Sequence, residues 1–227
     1  MEKRKIIIGT YDTVADGLWT LTGLEFSATE MLTYFVEVPG RKAGPLDLST
    51  VLTDGEPTYN NRTLTATFES SEGTYLEREE RISTMVNELD GRRLEIVLPD
   101  DPGRYIVGRV NVAKEYNDQA HASVIVTAVC EPWRYSTIEQ KYTLRATATK
   151  QLVGVVNSGR MTVVPLLTIA NPDNSTTASF NLTHGSDSWA LGPGSYTLPD
   201  LALKQGVTVI YYSGTGTATL TYREAVL

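Results

Sequence analysis

Threonines alternate with apolar residues through Arg62-Thr63-Leu64-Thr65-Ala66-Thr67-Phe68. That period of two predicts a strand with one dry face and one wet face. Arg104 to Val112 and Ala122 to Cys130 read as two more strands, with Asn117-Asp118 as the turn region between them. Arg93 to Leu98 is another, stopped by Pro99. One stretch changes period. Thr74-Tyr75-Leu76-Glu77 has the spacing of a capping box, in which the Thr hydroxyl and the Glu carboxylate satisfy free backbone N–H groups at a helix start. Ile82, Met85, Val86 and Leu89 follow at i, i+3, i+4 and i+7, while Arg78, Glu79, Glu80, Arg81 and Glu88 fall largely off that stripe. Gly91 is placed to end the helix in a left-handed conformation. The pattern predicts one amphipathic helix, 74–89, packed on a β-sheet.

Pro39-Gly40-Arg41-Lys42-Ala43-Gly44-Pro45 opens a segment with little periodicity that runs to about Asn61, with turn-prone Asp54-Gly55-Glu56-Pro57 inside it. A loop of that length in a compact domain is usually functional or interactive. After Trp133 the character changes. Ile138 to Thr149 is polar and Thr-rich, a joining strand or linker. From Val153 onward short strands are broken by Asn157-Ser158-Gly159, Asn171-Pro172-Asp173-Asn174, Gly192-Pro193-Gly194 and Ser213-Gly214-Thr215-Gly216. Turn signals at that spacing predict a small all-β sandwich. The expected division is residues 1–140 and 141–227, with the boundary near 136–150.

Composition supports strands: 30 of the 227 residues are Thr and 18 are Gly. At 41% hydrophobic the chain has enough apolar material for packed cores. It has no run of 18 apolar residues, and Met1-Glu2-Lys3-Arg4-Lys5-Ile6 does not read as a signal peptide, so assembly in a cytoplasm is expected, with no membrane insertion. Charge is uneven. Residues 1–140 carry 14 Lys and Arg against 23 Asp and Glu (−9), and residues 141–227 carry 6 against 4 (+2). An acidic first part argues against gripping nucleic acid, which takes clustered Lys and Arg. It is compatible with DNA passing by, because like charge keeps a phosphate backbone from sticking.

Catalytic chemistry is hard to assemble from these residues. His121 and His184 have no partner at zinc-ligand spacing, and the lone Cys130, in an alternating apolar strand, reads as a buried small hydrophobe. No G-x-S-x-G elbow, P-loop or dinucleotide fingerprint is present. Asp100-Asp101 reads as a solvated turn, and Asp173-Asn174 and Asp187 lack EF-hand spacing. The sequons at Asn61, Asn174 and Asn181 read as chance matches in a chain without a secretion signal. Trp189 and Tyr196, with Tyr211 and Tyr212, could form a sugar-stacking platform, although aromatics in a small sandwich are more often core. No cofactor or metal is expected, and no enzymatic activity.

Phe35-Val36-Glu37-Val38-Pro39-Gly40-Arg41, Leu46-Asp47-Leu48-Ser49, Leu52-Thr53-Asp54-Gly55 and Tyr59-Asn60-Asn61-Arg62 together resemble the distal tail protein family of long, non-contractile-tailed bacteriophages and prophages. Further matches are Leu98-Pro99-Asp100-Asp101-Pro102 with Tyr105, Gly108-Arg109, Cys130-Glu131-Pro132-Trp133, and the ending Gly214-Thr215-Gly216 with Tyr222-Arg223-Glu224-Ala225-Val226-Leu227. The resemblance spans nearly the whole chain. It implies a mainly β fold: an N-terminal β-sandwich or barrel-like domain with one α-helix, then a C-terminal galectin-like β-sandwich. It implies a non-enzymatic hub at the virion tail tip, built as a hexameric ring around a channel for DNA. The implied partners are the tail tube protein, a tail-tip or tail-associated protein and a receptor-binding protein. The 227 residues leave no room for the inserted carbohydrate-binding domain of larger members.

A ring needs heterologous contacts that close by rotation, and an aperiodic arm or an open sheet edge supplies them. The expected inter-subunit arm is 39–61, with Pro39, Gly40, Arg41, Leu46, Asp47, Leu48, Tyr59 and Arg62 as candidate contacts. The acidic balance of the first part suggests an acidic channel lining. The competing reading is a carbohydrate-binding module for host attachment, carried by the second sandwich through Trp189 and Tyr196.

Overall fold

Period-two alternation builds most of this chain into strands. The computed structural model describes residues 4–53, 55–170 and 179–227, in two units, Met1–Arg134 and Tyr135–Leu227. In the first unit the strands are β1 (Ile7–Ile8), β2 (Tyr11–Asp12), β3 (Thr20–Phe26), β4 (Phe35–Val36), β5 (Leu46–Asp47) and β6 (Arg62–Ser70). Helix α1 (Tyr75–Leu89) follows, then β7 (Arg93–Val97), β8 (Arg104–Asn117) and β9 (Ala122–Ser136), whose last two residues open the second unit. The main sheet is curled and runs β2-β1-β7-β8-β9-β6-β3, while β4 and β5 pair only with each other.

Register makes the dry faces coincide. Leu64 lies opposite Ala128, Ala66 opposite Val126 and Phe68 opposite Val124. All six are buried, and Ile106 and Val110 of β8 extend the same core. A one-residue slip would turn this whole row to water, so the alternation fixes the pairing. Gly108 is part of the fit: a Cβ there would meet the Cys130 sulfur at 2.6 Å.

The capping box forms as the spacing predicts. Thr74 Oγ1 accepts from the Glu77 N–H at 3.4 Å, and the Glu77 carboxylate accepts from the Thr74 N–H at 2.7 Å. Ile82, Met85 and Leu89 are buried in the core, with Val86 packed beside them. At about 1.5–3 kcal/mol per fully buried aliphatic side chain, this stripe outweighs the intrinsic propensity of the helix.

One detail differs from the sequence reading. Arg78, expected largely off the stripe, stands one turn before Ile82 and is 1% exposed. Its guanidinium donates to the Gly73 carbonyl (2.6 Å), the Asp118 carbonyl (2.7 Å) and Asn117 Oδ1 (3.2 Å). The planar fork of donors lets a cation serve as a tether between the helix start and the β8–β9 turn. The helix ends at Leu89 as expected, with an extended Asp90 cap whose N–H bonds the Val86 carbonyl. Gly91 follows with φ +72, the left-handed conformation read for it, and its N–H goes to the Val110 carbonyl as the chain turns into β7.

The second unit contains β10 (Gln140–Ala146), β11 (Gln151–Asn157), β12 (Leu166–Ala170), β13 (Phe180–His184), β14 (Asp187–Leu191), β15 (Gly194–Thr197), β16 (Gly206–Gly214), β17 (Gly216–Tyr222) and β18 (Ala225–Val226). Two four-stranded sheets, β10-β17-β12-β15 and β11-β16-β13-β14, form the expected β-sandwich. Leu144, Leu167 and Leu220 from one sheet and Val155, Phe180, Leu182 and Ile210 from the other share its core. The Thr-rich stretch expected as a joining strand contains β10, which pairs with β17 along its full length. Buried Asn157 is fully engaged, donating to the Met161 and Leu203 carbonyls and accepting from the Gly159 N–H. The Gly192–Gly194 and Ser213–Gly216 breaks separate strands as predicted. The expected turn at Asn171–Asn174, with the sequon at Asn174, lies outside the described residues.

Three outcomes follow. Ile82→Asp buries an unpaired carboxylate and should lower stability by about 3 kcal/mol or more in urea denaturation. Arg78→Met keeps the volume but orphans two carbonyls, and should cost about 2–4 kcal/mol in the same assay. The Glu77 carboxyl is held below the ordinary range by the Thr74 N–H and hydroxyl, and that of Asp118 by the His121 and Ala120 N–H groups. Depressed native pKa values mean that both contributions are present at neutral pH and are lost as pH falls through and below the ordinary carboxylate range. Stability measured against pH should therefore decline more shallowly over that window in Glu77→Gln than in the parent.

Candidate functional site

The segment between β3 and β6 leaves the main sheet as an arm. Its root is hydrogen-bonded like a ladder. Ser27 N–H donates to the Thr63 carbonyl (2.9 Å) and Asn60 N–H to the Glu30 carbonyl (2.9 Å). Leu32 N–H donates to the Thr58 carbonyl (2.8 Å), and Met31 bridges Tyr59. Farther out, Phe35 pairs with Asp47 and Val36 with Leu46, and Leu48 N–H donates to the Tyr34 carbonyl. The tip turns at Val38-Pro39-Gly40-Arg41, where Gly40 has φ +81 and the Arg41 N–H reaches the Val38 carbonyl at 3.2 Å. Proline second and a positive-φ glycine third are what a type II turn requires. The aperiodic stretch 39–61 is thus the return half of a longer excursion that begins near Ser27.

The candidate contacts sort by position. Pro39, Gly40 and Arg41 make the tip turn, Leu46 and Asp47 form β5, and Leu48 continues from it; all but half-buried Leu48 are exposed. Tyr59 and Arg62 belong to the root. Tyr59 meets Trp133 edge to face, with ring centroids 5.6 Å apart. Arg62 lies with its guanidinium carbon 3.6 Å from the Phe26 ring centroid, and its Nε–H donates to the Ser27 carbonyl. The Asp47 carboxyl is held below the ordinary range by the Ser49 hydroxyl and N–H, and the same hydroxyl accepts from Tyr34 N–H. The arm is a defined hairpin rather than a loose loop.

Its side chains are the unusual part. Tyr34 is 62% exposed and Leu52 98%, and Met31, Leu32, Phe35, Val38 and Val51 are exposed as well. Single exposed apolar residues are ordinary, but a contiguous run on a projecting element marks a protein-binding surface. The aperiodicity of 39–61 leaves the outgoing half unmarked, where Met31, Leu32, Tyr34, Phe35 and Val36 are interrupted only by Thr33. Such a stretch, without regular polar alternation, fits neither a half-wet strand nor a solvated loop. Asp54 lies outside the described residues.

Other candidate chemistry does not converge. The Cys130 sulfur sits 3.7 Å from the Ala128 carbonyl, and burial pushes its thiol up to about 11. The His184 ring lies 3.2 Å from the Val209 carbonyl, and the His121 N–H donates to Asp118. Asp100 pairs with Arg4, and Asp101 with Arg104 and Arg134. Among the described residues no cluster of three His, Cys, Asp or Glu could hold a metal ion. No helix among them is long and apolar enough to cross a membrane. The candidate ligands Asp173 and Asn174 lie outside the described residues. Trp189 and Tyr196 stand in opposite sheets of the sandwich, both half-buried against its core, and the Tyr196 hydroxyl donates to the Gly192 carbonyl.

A thiol with so high a pKa and no exposure is a poor nucleophile. Iodoacetamide at pH 8 should therefore label Cys130 at least about a hundredfold more slowly in the native chain than in urea, read by mass spectrometry.

No protein-family model matches this chain, and no curated protein sequence does. Among solved structures the chain is similar to the SPP1 Dit (gp 19.1) protein, described as a paradigm of the hub adsorption apparatus in phages that infect Gram-positive bacteria. The two share a fold at a TM-score of 0.68 and 15% identity, each aligned over 100% of its length.

Proposed function

We propose that this chain is a structural hub of a phage tail tip, acting by assembly rather than catalysis. The observation that carries the reading is the arm. An ordered hairpin that displays Tyr34, Phe35, Val51 and Leu52 to water is incomplete as an isolated molecule. The likeness in fold to the SPP1 Dit hub supports the setting, and the sequence motifs named above point the same way.

In this reading the first unit, around residues 1–140, forms a hexameric ring. The arm, with Pro39, Gly40, Arg41, Leu46, Asp47 and Leu48, reaches a neighbouring copy. A contact between two different patches on identical chains closes into a ring when its rotation divides a full turn. The second unit, around residues 141–227, lies outside the ring as a galectin-like sandwich. The ring joins the tail tube protein to the tail-tip or tail-associated protein and the receptor-binding apparatus. DNA passes through a channel whose lining draws on the −9 balance of residues 1–140.

The test is oligomeric mass against concentration, by size-exclusion chromatography with light scattering. The parent chain should assemble, alone or with a tail-tube partner. A variant with residues 34–52 replaced by a short Gly-Ser link should keep the parent melting transition and remain a monomer. Equal assembly by the shortened variant would contradict the role given to the arm.

A further inference from the structure

Arg62 is a cation that its own subunit does not balance. It is only 9% exposed, yet no carboxylate among the described residues lies within ion-pair distance of it. Its hydrogen bonding ends at Nε, which donates to the Ser27 carbonyl at 2.8 Å. The face of the guanidinium is covered by the Phe26 ring. Among the described residues the two terminal nitrogens have no hydrogen-bond partner, and neither is sealed from solvent. The charge environment makes this worse, since burial and the nearby Arg134 cation both disfavour the charged form.

Arg78, by contrast, is buried with three acceptors on its guanidinium. A guanidinium largely withdrawn from water without an anion is costly, and its terminal nitrogens present the parallel N–H pair that fits a carboxylate in bidentate fashion. The ring chemistry at the site also favours a protein acid over a free ion: Phe26 and the Tyr59–Trp133 pair give the arm root an apolar rim.

We infer that the open edge of Arg62 receives the carboxylate of Glu37 from a second copy of this chain. Glu37 sits on the arm between the exposed apolar residues Phe35 and Val38, is itself exposed, and has no ion-pair partner among the described residues. The arm that buries Phe35 and Val38 on a neighbour carries Glu37 into the same desolvated contact. There its charge needs a cation as much as Arg62 needs an anion. The root of one arm is then the receptor for the tip half of the next, which is the head-to-tail relation a closed ring requires. This inference rests on the arm reading and names its electrostatic anchor.

The test is a charge-swap cycle on the full chain, with assembly followed by light scattering and folding by thermal melting. Glu37→Arg, at an exposed position, should leave the monomer's melting temperature unchanged and raise the concentration for half-assembly by roughly tenfold or more. Arg62→Glu should raise the half-assembly concentration similarly while lowering the monomer's melting temperature, because it loses the Ser27 bond and the Phe26 contact, and Arg62→Gln is the milder variant that separates the two effects. The double variant Glu37→Arg with Arg62→Glu should recover assembly toward the parent. If the parent assembles and the arm-shortened chain does not, while Glu37→Arg assembles like the parent, the Glu37–Arg62 pairing is wrong and the arm reading stands. If the shortened chain also assembles, the arm reading fails with it. Loss in both single variants without recovery in the double variant would place the two residues in separate contacts and overturn the pairing.

Discussion

An apolar hairpin, hydrogen-bonded along its length yet exposed to water, sets the terms for this molecule. Loose loops can hide Leu and Phe side chains by collapsing on themselves. This arm cannot, because its root ladder from Ser27 to Thr63 and its Ser49–Asp47–Tyr34 network fix the backbone. Burying exposed apolar area is worth about 25 cal/mol per Å², and here the surface that remains to be buried is supplied in advance, at little further cost in chain ordering. The hairpin's order is therefore an argument about affinity as much as about shape.

The rest of the first unit serves as a platform for that projection. The sheet's register places Leu64, Ala66 and Phe68 against Ala128, Val126 and Val124, so β6 is anchored along its length, and the arm enters β6 at Arg62. Arg78 secures the helix to the β8–β9 turn through carbonyl acceptors rather than through a salt bridge. The carboxylates of Glu77 and Asp118, held below the ordinary range, serve a helix cap and a turn, and the Cys130 thiol is sealed in the core.

Where a local physical rule dominates, the sequence was legible. The alternation in β6, the capping box at Thr74 and the stripe through Ile82, Met85 and Leu89 each depend on neighbours within a few residues, and each appears as read. Arg78 shares the stripe by spacing, at i−4 from Ile82, but its charge argues for water; what permits its burial is the set of acceptors at Gly73 and, forty residues on, at Asp118, and the latter is a tertiary fact. Gly91 takes the positive φ expected directly after the helix. For the arm, the turn chemistry of Pro39-Gly40 was readable, but the pairing of Phe35 with Asp47 and the rooting of Tyr59 and Arg62 are tertiary facts. The division of the candidate contacts into tip and root could come only from three dimensions.

The most direct measurement is hydroxyl-radical footprinting of Tyr34, Phe35 and Leu52 side chains in the isolated chain and in assembled particles. Burial of the arm between copies requires these three to oxidise rapidly in the monomer and to be protected several-fold on assembly. Rapid oxidation of all three in assembled particles, with protection confined to other surfaces, would show that the hairpin does not join the copies.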